Sequence, residues 1–139
     1  KQNKVTYLRN NQRLGALQNI YNAVWSCRPD EIVVIVDGDD WLANGLVLRY
    51  LNGVYQDSDV WLTYGQFKRF PKNSDAKSSQ LPVEIIRRKQ VRTFPWVTSH
   101  LRTFYAGLFH KIKKQDLLFQ GKFYPMTGDL AIMFPLIEL

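Results

Sequence analysis

At 139 residues, with 45% hydrophobic and 14% aromatic side chains, the chain has the size and composition of one folded domain rather than a disordered segment. A single cysteine, Cys27, excludes an internal disulfide framework. No apolar run approaches the roughly 20 residues of a membrane span, and "KQNKVTYLRNNQR" has no signal-peptide core. The expectation is a soluble protein, cytoplasmic or peripheral to a membrane, unless a targeting segment lies outside this sequence. The net charge of +7 is concentrated: between Val83 and Lys122 nine Lys or Arg face only Glu84 and Asp116, and elsewhere ten bases balance ten acids. Such a block suits an anionic partner, or it is a solvated face.

In chain order, "LGALQNIYNAVW" carries Leu17, Ile20, Tyr21 and Val24 at helical spacing. "IVVIV", Ile32 to Val36, is β-branched without polar alternation and predicts a strand covered on both faces in a parallel sheet. "ANGLVLRYLNGVY" returns to helical spacing at Val47, Tyr50, Leu51 and Val54, and "DVWLTYGQF", Asp59 to Phe67, is strand-like. Phe70 to Pro82 has the composition of a mobile loop. "SHLRTFYAGLFHKI" places Leu101, Phe104, Tyr105, Leu108 and Ile112 on one helical face, and a last helix is expected from near Thr127, with Leu130, Met133, Phe134 and Ile137 inward and Pro135 bending or shortening it. The alternation predicts one α/β domain with a layered, mostly parallel sheet. Cys27, Trp25 and Trp61 are expected to pack inside, and His110, beside Lys111 and Lys113, to lie on the surface.

The apolar strand runs straight into "DGDD": Asp37, Asp39 and Asp40. In open α/β sheets ligands bind beyond the carboxyl ends of strands. Clustered carboxylates repel one another unless a cation offsets them, and Mg²⁺ or Mn²⁺ takes carboxylate oxygens together with substrate phosphates. Gly38 permits a tight turn between the two aspartates. Asp40 alone also suits the N-cap of a following helix, but a cap does not account for three carboxylates.

"IVVIVDGDDWLAN" resembles the strand and Asp-x-Asp-Asp signature of family 2 glycosyltransferases with the glycosyltransferase A fold. "NNQRLGALQNIYNAV" is similar to the helix preceding that strand, and "MTGDLAIMFPLIEL" to the later acidic segment that carries the catalytic base. The resemblance runs from about Asn10 to Leu139 and implies a Rossmann-like sheet flanked by helices. Residues 1–139 would then form one catalytic domain without the family's usual first strand and C-terminal continuation.

By that resemblance Asp39 is a ligand of Mn²⁺ or Mg²⁺, Asp37 supports the nucleotide or a metal-bound water, and Asp40 stands behind them. Asp129 matches the base, with Gly128 where the family more often has Glu; it also suits a helix N-terminus, where a negative charge is favourable. The implied reaction is inverting transfer from a nucleotide-sugar, a UDP- or GDP-sugar, to a saccharide, lipid or protein hydroxyl.

Three residues from the basic segment join the expected donor site. Arg102 suits a diphosphate, His100 suits a metal or a phosphate oxygen, and Trp96, after Pro95, suits stacking on a sugar ring. "RRKQVRTFPWVTSHLRTFYAGLF" interleaves Arg with aromatics as nucleic-acid binders do. The spacing of Phe104, Tyr105 and Phe109 points instead to packing, so nucleic acid is not the expected partner. A noncatalytic basic module for phosphorylated ligands or nucleic acid is the second reading.

Overall fold

The computed structural model describes residues 5–72, 74–75 and 78–139. Its elements are α1 (Ala16–Trp25), β1 (Ile32–Ile35), α2 (Val47–Val54), β2 (Leu62–Gly65), β3 (Lys68–Arg69), β4 (Ser74–Asp75), α3 (Val83–Arg87), β5 (Ser99–Tyr105), α4 (Ala106–Phe109), β6 (Leu118–Phe119), β7 (Lys122–Phe123) and α5 (Gly128–Glu138). The class is α/β, as the alternation of patterns predicts.

The sheet differs from the expected parallel one. Its order is β1-β5-β2, and β5 is antiparallel to both neighbours. β1 and β2 run the same way and are joined through α2, but β5 lies between them. Every strand pairing among the described residues is antiparallel.

β5 occupies the segment whose spacing predicts a helix, and only the single turn of α4 at Ala106–Phe109 is helical. Leu101 and Tyr105 lie four residues apart, a separation shared by a helix face and by alternate positions of a strand. Pairing on both edges decides in favour of the strand, because it satisfies the backbone groups of a segment that is buried at Arg102, Thr103 and Phe104.

The two faces of β5 are covered differently. Phe104 lies in a core with Leu17 and Val24 of α1, Phe109 of α4, Leu117, and Ile132, Met133 and Leu136 of α5. Phe104 and Phe109 stack with centroids 5.8 Å apart. Side chains of this size, fully buried, each contribute about 1.5–3 kcal/mol. The inward face of α5 thus includes Met133 as expected, with Ile132 and Leu136 as its fully buried partners. The helix continues through Pro135 to Glu138 and is not shortened.

On the opposite face, Thr103 meets Tyr55 at the end of α2. The Tyr55 hydroxyl lies 2.7 Å from Thr103 Oγ1, which lies 2.6 Å from Thr63 Oγ1. α2 itself buries no residue fully, and Tyr50, expected inward, is 73% exposed. Trp25 and Trp61, also expected inside, are about half exposed, and Lys111 lies over the Trp61 ring. Cys27 is only partly buried.

The segment read as a mobile loop is anchored at several points. Ser78 Oγ donates to the carbonyls of Gly65 and Val97, the amide of Leu81 donates to the Tyr64 hydroxyl, and Leu81 is buried. His110 is no plain surface residue either, since its Nε2 lies 3.1 Å from the carbonyl of Val24, where it caps the end of α1.

Candidate active site

The antiparallel register assembles the site. Ile35 pairs with Arg102, so two residues further along β1 and two back along β5 bring Asp37 beside His100. His100 Nδ1 lies 3.9 Å from Asp37 Oδ2 and 3.6 Å from Asp40 Oδ2. Asp40 reaches it through a turn in which its own amide donates to the Asp37 carbonyl at 3.0 Å. Asp40 caps no helix, because α2 begins at Val47 with Leu46 before it.

β2 closes on the same end of β5 at a bulge opposite Ser99. A Cβ at Gly65 would lie 3.0 Å from the His100 carbonyl oxygen, so only glycine allows this approach without a shift. Phe67, just beyond, meets the His100 ring edge-on at 5.3 Å.

Arg102 is the pivot. It is 5% exposed, and its guanidinium sits between two carboxylates: Nη2 lies 3.5 Å from Asp37 Oδ2, and Nη1 lies 3.5 Å from Asp129 Oδ2. Nη2 also lies 3.2 Å from His100 Nδ1. Among the described residues Arg102 Nε has no hydrogen-bond partner. Asp129 stands in the first turn of α5, which favours its charge and aims it at Arg102 from the opposite wall.

Between those walls is a cleft of about 230 Å³. Ala16 and Ile20 of α1 and Ile132 of α5 line its apolar sides, with Asp37, His100, Arg102 and Asp129 as the polar groups. This volume lies below the roughly 300 Å³ at which drug-sized pockets begin, and it suits one part of a larger ligand.

Ligand atoms of Asp37, Asp40 and His100 lie within 4.8 Å of one another. With metal–ligand bonds of roughly 2.1 Å, two ligands of one ion are at most about 4.2 Å apart, so a small inward movement completes a three-ligand set. Two carboxylates and an imidazole are a donor set that suits a divalent ion. Asp39 is exposed and outside this group.

Of the residues singled out in the sequence, the structure therefore brings together Asp37, Asp40, His100, Arg102 and Asp129. Trp96 is placed elsewhere: it packs edge-on against Phe134 at 5.4 Å and against the core. The Arg102–Asp129 pair is the element that sequence reasoning missed, since nothing in the spacing of residues 102 and 129 brings them together.

The basic block is dispersed among partners. Arg88 pairs with Glu84, and Arg92 makes two hydrogen bonds to Glu138 at 2.7 and 2.8 Å, which hold its guanidinium above the ordinary range. Lys114 lies over Tyr21 and Phe123. No helix among the described residues is long and apolar enough to cross a membrane.

Comparison with protein-family models, curated proteins and solved structures finds no match to this chain.

Proposed function

We propose that the chain is a glycosyltransferase of the Rossmann-like glycosyltransferase A type, which moves a sugar from a UDP- or GDP-sugar to an acceptor hydroxyl with inversion. The observation that carries this reading is the convergence of Asp37, Asp40 and His100 on one side of Arg102, with Asp129 on its other side in the same cleft. A group of side chains able to hold a metal ion and a separate carboxylate, held apart by a buried cation, suit a reaction in which a diphosphate leaves and a hydroxyl loses its proton.

Asp37, Asp40 and His100 would hold Mn²⁺ or Mg²⁺. When bound, that ion supplies charge neutralisation to a leaving diphosphate. Asp129 takes the acceptor's hydroxyl proton as the oxygen bonds to the anomeric carbon and the bond to the diphosphate breaks. Arg102 holds the two carboxylate groups at a fixed separation. With its charge shared between Asp37 and Asp129, it has less to offer a diphosphate than a free guanidinium. Several bases of the Val83–Lys122 block are engaged by acids or rings, and this disfavours the polyanion-binding alternative.

The test is thermal stability with UDP and GDP, with and without Mn²⁺, because a ligand bound only by the folded state raises the melting temperature. The expected result is a rise that requires Mn²⁺, is lost in Asp37→Asn and Asp40→Asn, and survives in Asp39→Asn. Loss only in Asp39→Asn would move the ligand set back to the middle aspartate of the motif. Salt-sensitive binding of polyanions without metal, and no metal-dependent rise, would replace the enzyme by a binding module.

A further inference from the structure

We propose that Arg102 is a displaceable internal cation: its Nη2 and a divalent ion compete for the same two atoms, so metal entry turns that arm of the guanidinium into the cleft. This rests on the metal-ligand set of the glycosyltransferase reading above. Arg102 Nη2 lies 3.2 Å from His100 Nδ1 and 3.5 Å from Asp37 Oδ2, and those two atoms are 3.9 Å from each other. Both belong to residues that would ligate the ion. An ion held through them would have Nη2 within a few ångströms, where two positive charges repel each other.

The cluster has charge for both cations but not ligand atoms for both. Asp37, Asp40 and Asp129 set three negative charges around one guanidinium, and the surplus of two is what a divalent ion neutralises.

Arg102 is also the member held most loosely. Its two carboxylate contacts are both 3.5 Å, longer than charge-assisted hydrogen bonds of about 2.7–2.9 Å, and among the described residues its Nε has no partner. Arg92, by contrast, is fixed to Glu138 by two hydrogen bonds at 2.7 and 2.8 Å. His100 is braced by the edge-on ring of Phe67 and by the close approach of Gly65 to its carbonyl. Displacement therefore falls on the guanidinium, which spaces Asp37 and Asp129 only until the ion enters. Nη1 stays with Asp129, and Nη2 turns to the cleft that Arg102 already lines. There its N–H donors meet an anion that arrives with the metal, on the transferase reading the diphosphate.

The experiment measures Mn²⁺ binding to the whole protein without nucleotide, by calorimetry and electron paramagnetic resonance, for wild type, Arg102→Met and Arg102→Gln. Asp37 and Asp129 are partly exposed, so water can meet both carboxylates in these variants, and thermal melting checks their fold. The expected result is Mn²⁺ binding tightened by about tenfold in both, the scale of coupling between two sites. At saturating Mn²⁺, UDP and GDP are expected to bind the variants about tenfold more weakly than wild type, the scale of a lost hydrogen bond to a charged group.

Mn²⁺ binding that is weaker or unchanged in the variants overturns the exchange and reduces Arg102 to its spacing role, even if wild type binds UDP or GDP with Mn²⁺. Undiminished nucleoside diphosphate binding by the variants overturns the turn of Nη2 into the cleft. Tightened Mn²⁺ binding in a protein that ignores UDP and GDP keeps the exchange and removes the transferase. Wild type supplies a check that needs no substitution: with ¹⁵N-labelled arginine and Mg²⁺ as a diamagnetic probe, the Arg102 Nη signals are expected to move on metal binding. Signals unaltered at saturating Mg²⁺ overturn the exchange.

Discussion

β5 presents two kinds of polar chemistry from one strand. Toward α2, Thr103 links the hydroxyls of Tyr55 and Thr63 at 2.7 and 2.6 Å, a small network in which each hydroxyl has a partner. Toward α1 and α5, the adjacent Arg102 is also buried, but among the described residues its Nε has no partner and its two carboxylate contacts are both 3.5 Å. The first face spends its polar groups on holding α2 to the sheet. The second keeps donors and charges incompletely matched beside a cleft, the local inconsistency expected where a structure serves a ligand.

Asp129→Asn tests this division most strongly. In the complete enzyme it is expected to reduce turnover by roughly 10²-fold or more, the scale of a lost general base, with donor affinity nearly unchanged. Its pair with Arg102 is long, and the Asp129 side chain is 35% exposed, so the stability change is expected to stay within about 1 kcal/mol. Steady-state kinetics and thermal melting on the same preparation decide it. Retained turnover with a large drop in melting temperature would make this face structural and erase the contrast.

Thr103→Val is the converse. The substitution keeps the branched shape and removes the hydroxyl shared by Tyr55 and Thr63, and the expected cost is about 1–3 kcal/mol for the partners left without it. Urea denaturation measures that cost, and Mn²⁺-dependent nucleoside diphosphate binding is expected to be unaffected. A loss of that binding would mean that the two faces are coupled through β5.

How much of this was legible in the sequence depended on period. Ile32 to Val36 is a β-branched run with no helical alternative, so the strand and the carboxylates leaving its end were readable, and the 3.6-residue spacing of Leu17, Ile20 and Val24 marked α1. β5 was not readable, because Leu101 and Tyr105 satisfy both periods and the choice lay with β1 and β2, distant in sequence. His100 and Arg102 stand out in the sequence all the same, but a helical reading does not give their arrangement. On a helix, residues two apart point in nearly opposite directions, whereas on a strand His100 and Arg102 share a face. The same segment, placed as a central strand, also turns the expected parallel sheet antiparallel. Asp129 was visible as an acid at the start of a helix, but its meeting with Arg102 depends on how α5 packs over β5.

The smallest expected effect concerns pH, and it belongs to the α2 face. Burial raises the pKa of Tyr55, and the hydrogen bonds from Thr103 and Thr63 pull it partly back. The folded state therefore favours the neutral phenol more than the unfolded chain does, where tyrosine titrates near about 10. That contribution to stability is fully present below the unfolded value and is lost as pH rises through the folded one, so stability should decline above about pH 10. Lys side chains titrate in the same range, and the informative quantity is the stability of wild type minus that of Tyr55→Phe, measured by urea denaturation from about pH 8 to 11. It should be constant at the lower end and shrink through the upper end. Thr103→Val removes a hydrogen bond that lowers the Tyr55 pKa, so in that background the decline should extend to higher pH. A wild-type minus Tyr55→Phe difference that stays flat across pH 10 would show that the phenol is as free to ionise in the fold as outside it, and the buried network would then lose its part in separating the two faces.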